Sequence, residues 1–92
     1  MKKKVEIKVY GSNDCKYCNN LKKYLKILRI KHDFIDIDLK ENEEEYHKVS
    51  NELGHNFIPV IKINDDFLSP ERDFETISEA VKKVFIASKK GG

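Results

Sequence analysis

The apolar residues near the start of the chain alternate with polar ones. Val5, Ile7 and Val9 are separated by charged residues, and a period of two is typical of a half-buried β-strand. Residues 11–14 (GSND) then predict a loop, because these residue types favour turns. A second strand is predicted over residues 34–38 (FIDID).

Between these strands the apolar residues recur at helical spacing, which predicts a first helix from about residue 16 to residue 30. Its predicted buried face consists of Tyr17, Leu21, Tyr24, Leu25 and Leu28. Two strands that flank a helix favour a right-handed parallel β-α-β unit. A second helix is predicted over residues 41–53, because glutamates suit its first turn and Gly54 suits its C-cap.

The last third of the chain predicts a hairpin and a third helix. Residues 60–63 (VIKI) predict a strand, residues 64–66 (NDD) a turn, and residues 67–68 the partner strand. Ser69 is a suitable N-cap and Pro70 suits the first helical position, so we predict that the third helix begins there. Its predicted buried face consists of Phe74, Ile77, Val81, Val84 and Phe85.

The order β-α-β-α-β-β-α predicts an α/β fold with a four-stranded mixed sheet and three helices. A chain of 92 residues has room for a single domain, within which residues 88–92 are predicted to fray. The content of 39% hydrophobic and 37% charged residues indicates a globular protein. The net charge of +2 is too small to indicate a polyanionic binding partner. Lys2, Lys3 and Lys4 resemble the start of a signal peptide, but charges interrupt the apolar run that should follow. We therefore expect a cytoplasmic monomer that binds neither nucleic acid nor membranes.

Cys15 and Cys18 are the only cysteines, and their C-x-x-C spacing at a predicted helix start is the strongest chemical signal. Unpartnered N–H groups and the helix dipole at that terminus favour a thiolate on Cys15. Lys16 would support this negative charge, whereas Asp14 would oppose it. We predict that Cys15 is the nucleophile and that Cys18, one turn deeper, is the resolving thiol.

Other uses of the two cysteines remain open. A structural zinc site would need two more ligands; His47 and His55 are candidates, although their spacing does not match a zinc-finger pattern. Inert packing and a permanent disulfide are further alternatives, the latter unusual in a reducing cytosol. The alternative function is a module that binds a metal ion or an iron–sulfur cluster through Cys15 and Cys18.

With Pro59 before the third strand, the chain resembles the glutaredoxin branch of the thioredoxin superfamily. Residues 15–18 read CKYC where the family commonly has CPYC, and residues 57–59 read FIP where it has TVP with a cis proline. The resemblance covers nearly the whole chain and implies a thioredoxin-like (glutaredoxin) fold. It implies that Ile58 and Pro59 shape the substrate groove and that Tyr17 flanks bound glutathione.

The glutathione site of the family is matched incompletely. Aligned from the proline, the Gly-Gly pair of the family falls on Ser69 and Pro70, and Pro70 has no N–H to donate to a carboxylate. Glu71 adds a negative charge there, whereas Arg72 could pair with the carboxylate and Asp73 falls on an aspartate of the family motif.

The resemblance therefore implies a thiol–disulfide oxidoreductase that reduces protein or low-molecular-weight disulfides through Cys15 and Cys18. Glutathione or thioredoxin reductase is the expected electron donor, and no bound cofactor is expected. The iron–sulfur branch of the family typically has Cys-Gly-Phe-Ser, and Cys18 argues against that branch.

Overall fold

The computed structural model describes residues 5–90, and within that range four strands form one mixed sheet. The strands are β1 (Ile7–Gly11), β2 (Asp33–Asp36), β3 (Val60–Ile63) and β4 (Asp66–Leu68). Their spatial order is β2-β1-β3-β4. β1 is parallel to β2 and antiparallel to β3, which is antiparallel to β4. The predicted parallel β-α-β unit and the predicted hairpin are confirmed.

Three α-helices connect and follow these strands in the described part of the chain. They are α1 (Lys16–Ile27), α2 (Glu43–Leu53) and α3 (Ile77–Lys90), and a 3₁₀ turn (Lys40–Asn42) precedes α2. Gly54 caps α2 with a φ of 78°, as predicted. α3 includes residues 88–90 of the predicted frayed tail, whereas Lys2 to Lys4 and residues 91–92 lie outside the described residues. None of the helices within residues 5–90 has the length and apolar character needed to cross a membrane.

The sheet is buried on both faces, which divides the core in two. The larger cluster, on the side of α1 and α3, includes Val9, Leu21, Leu25, Ile61 and Val84. The smaller cluster, on the side of α2, contains Tyr10, Val49 and Val60. Because successive residues of a strand point to opposite faces, Val9 and Tyr10 of β1 bury their side chains in different clusters.

The buried face of α1 differs from the predicted stripe. Cys18, Leu21 and Leu25 are buried, at the i, i+3, i+7 spacing of one helix face. Tyr17 and Tyr24 each precede a buried residue by one position and therefore lie about 100° around the helix, where both are exposed. The cysteine at position 18 is thus part of the core.

α1 ends three residues earlier than predicted, because the chain turns at Arg29. Arg29 has a positive φ of 58°. Its amide donates to the carbonyl of Lys26 at 3.1 Å, and the amide of Ile30 donates to the carbonyl of Leu25 at 2.9 Å. These two hydrogen bonds form the Schellman motif, in which the residue with positive φ is usually glycine. Because arginine holds that position here, the sequence contains no obvious signal that the helix ends.

The prediction that α3 begins at Ser69 and Pro70 is wrong, since the helix begins at Ile77. The Thr76 hydroxyl accepts a hydrogen bond from the Glu79 amide at 3.2 Å and contacts the Glu79 carboxylate at 3.4 Å. Thr76 therefore caps the helix, and residues 76–79 (TISE) have the T-x-x-E pattern of a capping box. The sequence contained this start signal, but Ser69-Pro70 obscured it. Phe85, predicted to be buried on α3, is also exposed.

Candidate active site

Cys15 caps α1 with its own sulfur atom. It is the N-cap residue, and its Sγ accepts a hydrogen bond from the Cys18 amide at 3.2 Å. Both cysteines are free thiols; Cys15 is partly exposed and Cys18 is buried. A helix-terminal amide is therefore aimed at the one sulfur that solvent can reach, where it would stabilise a negative charge.

Cys18 lies against the end of β1, where Gly11 leaves room for it. A Cβ atom added to Gly11 would stand 2.6 Å from Sγ and 3.0 Å from Cβ of Cys18. It would also stand 3.3 Å from the Phe34 ring. All three distances are shorter than ordinary carbon contacts of about 3.5–4.0 Å. Sequence analysis assigned Gly11 only to a turn, although a glycine at a strand end can also signal a close approach.

Burial controls the ionisation of the Cys18 thiol. Burial raises the pKa of the Cys18 thiol to about 12, and the Cys15 thiol adds to the rise. The Ser12 backbone and the Lys22 charge favour the thiolate of Cys18 but do not reverse this effect. Cys18 is therefore protonated at neutral pH. The pair combines an accessible sulfur with a sheltered one, as a nucleophile and its resolving thiol require.

The loop before Cys15 is held by side chains from the neighbouring strand end. The Ser12 hydroxyl donates to the Asp38 carboxylate, and Asn13 Nδ2 donates to Asp36 Oδ2 at 3.2 Å. The Cys15 amide donates to the Ser12 carbonyl at 3.1 Å. These bonds fix the backbone that positions the candidate nucleophile.

Lys16 and Asp14, predicted to act on the Cys15 thiolate in opposite directions, are both exposed to solvent. Solvent and salt weaken the interaction of exposed charges, so neither is expected to dominate at this position. The Cys18 amide, by contrast, donates a hydrogen bond directly to the Cys15 sulfur.

An apolar groove of about 320 Å³ begins at Tyr17, two residues after Cys15. Ile58 and Pro59 line it together with Phe57, and the Ile58–Pro59 peptide bond is cis. The structure therefore brings together three of the residues that sequence analysis assigned to substrate binding, namely Tyr17, Ile58 and Pro59. Sequence analysis did not assign the exposed ring of Phe57 to this site.

Arg72 and Asp73, the other two predicted contacts, do not line this groove. The Arg72 guanidinium bonds Asp73 Oδ2 at 2.8 Å and the Phe67 carbonyl at 2.8 Å. Asp73 Oδ2 also accepts from the Ser69 amide at 2.8 Å. Burial opposes the charge of Asp73, but these donors outweigh it and hold the pKa of the carboxyl below its usual value. Both side chains thus stabilise the loop between β4 and α3.

The opposite wall of the groove comes from that loop and from the start of α3. Glu71, Glu75, Thr76 and Ile77 contribute to it. Sequence analysis had placed the charge of Glu71 at the glutathione site but had given the other three no role in binding. Their placement follows from the late start of α3, because the loop between β4 and α3 passes along the groove before the helix begins. The capping box of Thr76 and Glu79 was the signal that could have revealed it.

The alternative ligands for a metal ion do not meet at the cysteines. Among the residues that the structure describes, no three His, Cys, Asp or Glu side chains are placed to hold a metal ion together. His47 is an exposed residue of α2, and His55 stacks on the Phe57 ring with the ring centres 4.9 Å apart.

Comparison with known proteins places the central part of the chain in a family. The family model for glutaredoxin matches residues 7–68, from the first residue of β1 to the last residue of β4. A glutaredoxin-like 8.6 kDa protein encoded in a rubredoxin operon of Clostridium pasteurianum is 29% identical over 62 residues. That similarity covers 67% of this chain and 80% of the relative.

Solved structures extend the similarity to nearly the whole fold. The glutaredoxin of Archaeoglobus fulgidus superimposes with a TM-score of 0.68 and 23% identity, over 88% of this chain and 86% of that one. A buckwheat glutaredoxin in complex with glutathione superimposes with a TM-score of 0.73 and 15% identity, over 96% of this chain and 80% of that one. The thioredoxin-like glutaredoxin fold implied by the sequence is confirmed.

Proposed function

Because this chain belongs to the glutaredoxin family, we propose that it reduces disulfides by a dithiol mechanism, with Cys15 as nucleophile and Cys18 as resolving thiol. One observation carries the proposal, namely the unequal pair at the start of α1. The Cys15 sulfur is accessible and accepts a hydrogen bond from the Cys18 amide at 3.2 Å. The Cys18 thiol is buried and stays protonated at neutral pH. This asymmetry assigns the two steps of the reaction to different residues.

In the first step the Cys15 thiolate attacks one sulfur of the substrate disulfide. The other substrate sulfur leaves as a thiolate and takes a proton, and a mixed disulfide with Cys15 remains. In the second step Cys18 gives up its proton and attacks the Cys15 sulfur, which releases the second substrate thiol. The substrate has gained two electrons and two protons, and the protein holds a Cys15–Cys18 disulfide. The high pKa of Cys18 makes its deprotonation the demanding part of this step.

The groove that begins at Tyr17 is the candidate substrate site. Tyr17, Phe57 and Pro59 offer an apolar surface, and the Ile58 main chain could pair with an extended substrate segment. Glutathione is one candidate reductant, since a buckwheat glutaredoxin of the same fold was crystallised with it. Thioredoxin reductase is the other, because the predicted contacts of Arg72 and Asp73 are used within the protein.

The experiment measures reduction of hydroxyethyl disulfide with glutathione and its reductase, and separately with thioredoxin reductase and NADPH. We expect turnover with at least one system and its loss in Cys15→Ser. Serine is itself a favourable N-cap, so this variant keeps the helix cap and a thermal melt can verify that it is folded.

Full turnover by Cys15→Ser would contradict the proposal. Stoichiometric metal in freshly purified protein, with no turnover in either system, would favour the metal- or cluster-binding alternative. The proposal includes a monomer in the cytoplasm, where the reducing environment would keep both thiols reduced. Sedimentation of the purified protein and fractionation of its host cells test these two points.

A further inference from the structure

The apolar groove that begins at Tyr17, two residues after Cys15, carries negative charge. Of the residues that line it, the two with charged side chains at neutral pH are Glu71 and Glu75, and both are exposed. Its lining includes no lysine, arginine or histidine. A ligand that enters the groove therefore meets two carboxylates from the loop before α3.

Two cationic side chains, one from that loop and one from α3, bond to other parts of the protein. Arg72 bonds Asp73 and the Phe67 carbonyl, and Lys83 donates to the Asp73 carbonyl. The start of α3 adds a partial positive charge of roughly half a unit. Its Glu79 amide is already occupied by the Thr76 hydroxyl. Two full negative charges exceed this contribution.

Aromatic rings supply a second, independent feature that favours cations. Tyr17 is 64% exposed and Phe57 is 51% exposed, and both line the same groove as the two glutamates. A cation near an aromatic face is attracted by the ring quadrupole. A second depression of about 510 Å³ continues from the groove, shares Tyr17 and Glu75 with it, and adds Tyr24. Its lining also lacks basic side chains.

Building on the proposed disulfide reductase activity, we propose that Glu71 and Glu75 make this groove selective for disulfides flanked by cationic groups. The groups attached to the substrate sulfurs would be ammonium or guanidinium groups on short apolar stems, carried by a small amine disulfide or by lysine and arginine next to a protein disulfide. The carboxylates hold the cation, the rings of Tyr17 and Phe57 cover its stem, and the disulfide is thereby presented to Cys15. A disulfide flanked by carboxylates, as in oxidised glutathione, is disfavoured at the same place.

The chemical step is unchanged by this selectivity. The reduced Cys15–Cys18 pair supplies two electrons, the substrate disulfide accepts them, and two thiols leave. A single turnover therefore needs no external reductant, and it separates recognition in the groove from the recycling system.

The test uses reduced protein and three disulfides of similar size, namely cystamine (cationic), hydroxyethyl disulfide (neutral) and dithiodiglycolate (anionic). Loss of protein thiols is followed by rapid quenching with an alkylating agent and mass spectrometry, which gives a second-order rate constant for each. Intrinsic reactivity cancels when the cystamine-to-dithiodiglycolate ratio is compared between wild type and Glu71→Gln/Glu75→Gln. The Coulomb interaction between the two glutamates and a charged substrate in the groove is weakened by solvent and salt. We therefore predict that the cystamine-to-dithiodiglycolate ratio is about fivefold to tenfold lower in the variant than in the wild type.

Glu44→Gln/Glu52→Gln is the matched control, because it makes the same change in net charge on exposed residues of α2 outside the groove. Two peptide disulfides of equal length, one flanked by lysine and one by glutamate, distinguish a protein segment from a small amine as the cation source. The proposal is supported if either matched pair, the small disulfides or the peptides, loses its ratio in the groove variant but not in the control.

Unchanged ratios with both pairs, or an equal change in the control, would overturn the selectivity. Failure of the wild type to react with any of these disulfides would overturn the proposed reductase activity instead. The two failures are therefore distinguishable.

Discussion

Replacing Gly11 by alanine should damage the site through a single steric contact. The added Cβ would lie 2.6 Å from the Cys18 sulfur and 3.0 Å from the Cys18 Cβ. Cys18 is fully buried on the face of α1 that packs against the end of β1, so it has little room to move away. Overpacking of this kind costs about 1–3 kcal/mol, and we expect about 2 kcal/mol here. For a domain of this size, that corresponds to a melting temperature about 8–16 °C lower.

A double-mutant cycle identifies the contact responsible. Cys18→Ala removes the sulfur, so Gly11→Ala should cost about 1 kcal/mol less in that background than in the wild type. Gly54→Ala is the matched control; nothing lies within 4 Å of its added Cβ, but its φ is +78°. It should cost about 1 kcal/mol through backbone strain and should not couple to Cys18→Ala. Equal costs of Gly11→Ala in both backgrounds, measured by thermal or denaturant unfolding, would refute this reasoning.

Three further predictions address the thiols, the start of α3 and the loop before it. Iodoacetamide at pH 7 should modify Cys15 and leave Cys18 unmodified, because Cys18 is buried and its pKa is raised to about 12. Peptide mapping identifies the modified residue, and protein unfolded in guanidinium should be modified at both cysteines. Thr76→Ala should lower the free energy of unfolding by about 1 kcal/mol through loss of the helix cap, whereas Thr76→Ser should retain most of it. The pKa of Asp73 is lowered in the folded protein, so its charge stabilises the fold at neutral pH and this contribution is lost as the pH falls below the usual value of 3.8. The difference in unfolding free energy between wild type and Asp73→Asn should therefore shrink in acid, and a constant difference from pH 7 to pH 2 would contradict the assignment.

The sequence was sufficient for features that depend on neighbouring residues. The C-x-x-C at a helix start is local chemistry, and the structure places Cys15 and Cys18 as that spacing predicts. Strand alternation and the turn at residues 64–66 predicted the hairpin for the same reason. The family resemblance assigned Pro59 to the substrate groove, and in the structure Pro59 lines the apolar groove that begins at Tyr17.

The remaining features depend on contacts between distant parts of the chain. No local pattern shows that Gly11 faces Cys18, because that contact requires β1 to lie against α1. Two competing start signals preceded α3, and the choice between Ser69 and Thr76 was decided by how the loop between them packs. That loop turns Arg72 toward Asp73 and brings Glu75 to the groove beside Glu71. The family resemblance placed the charge of Glu71 at the site, but the internal pairing of Arg72 and the contribution of Glu75 could not be predicted from residue spacing.

In the proposed mechanism Cys15 attacks the substrate disulfide and Cys18 releases the product. Trapping tests this division most directly: each Cys→Ser variant is mixed with hydroxyethyl disulfide at neutral pH and its intact mass is measured. We predict that Cys18→Ser accumulates one mercaptoethanol adduct on Cys15, whereas Cys15→Ser accumulates none because its remaining thiol is buried and protonated. A stable adduct on Cys18 in the Cys15→Ser variant, or the absence of an adduct in Cys18→Ser, would contradict it.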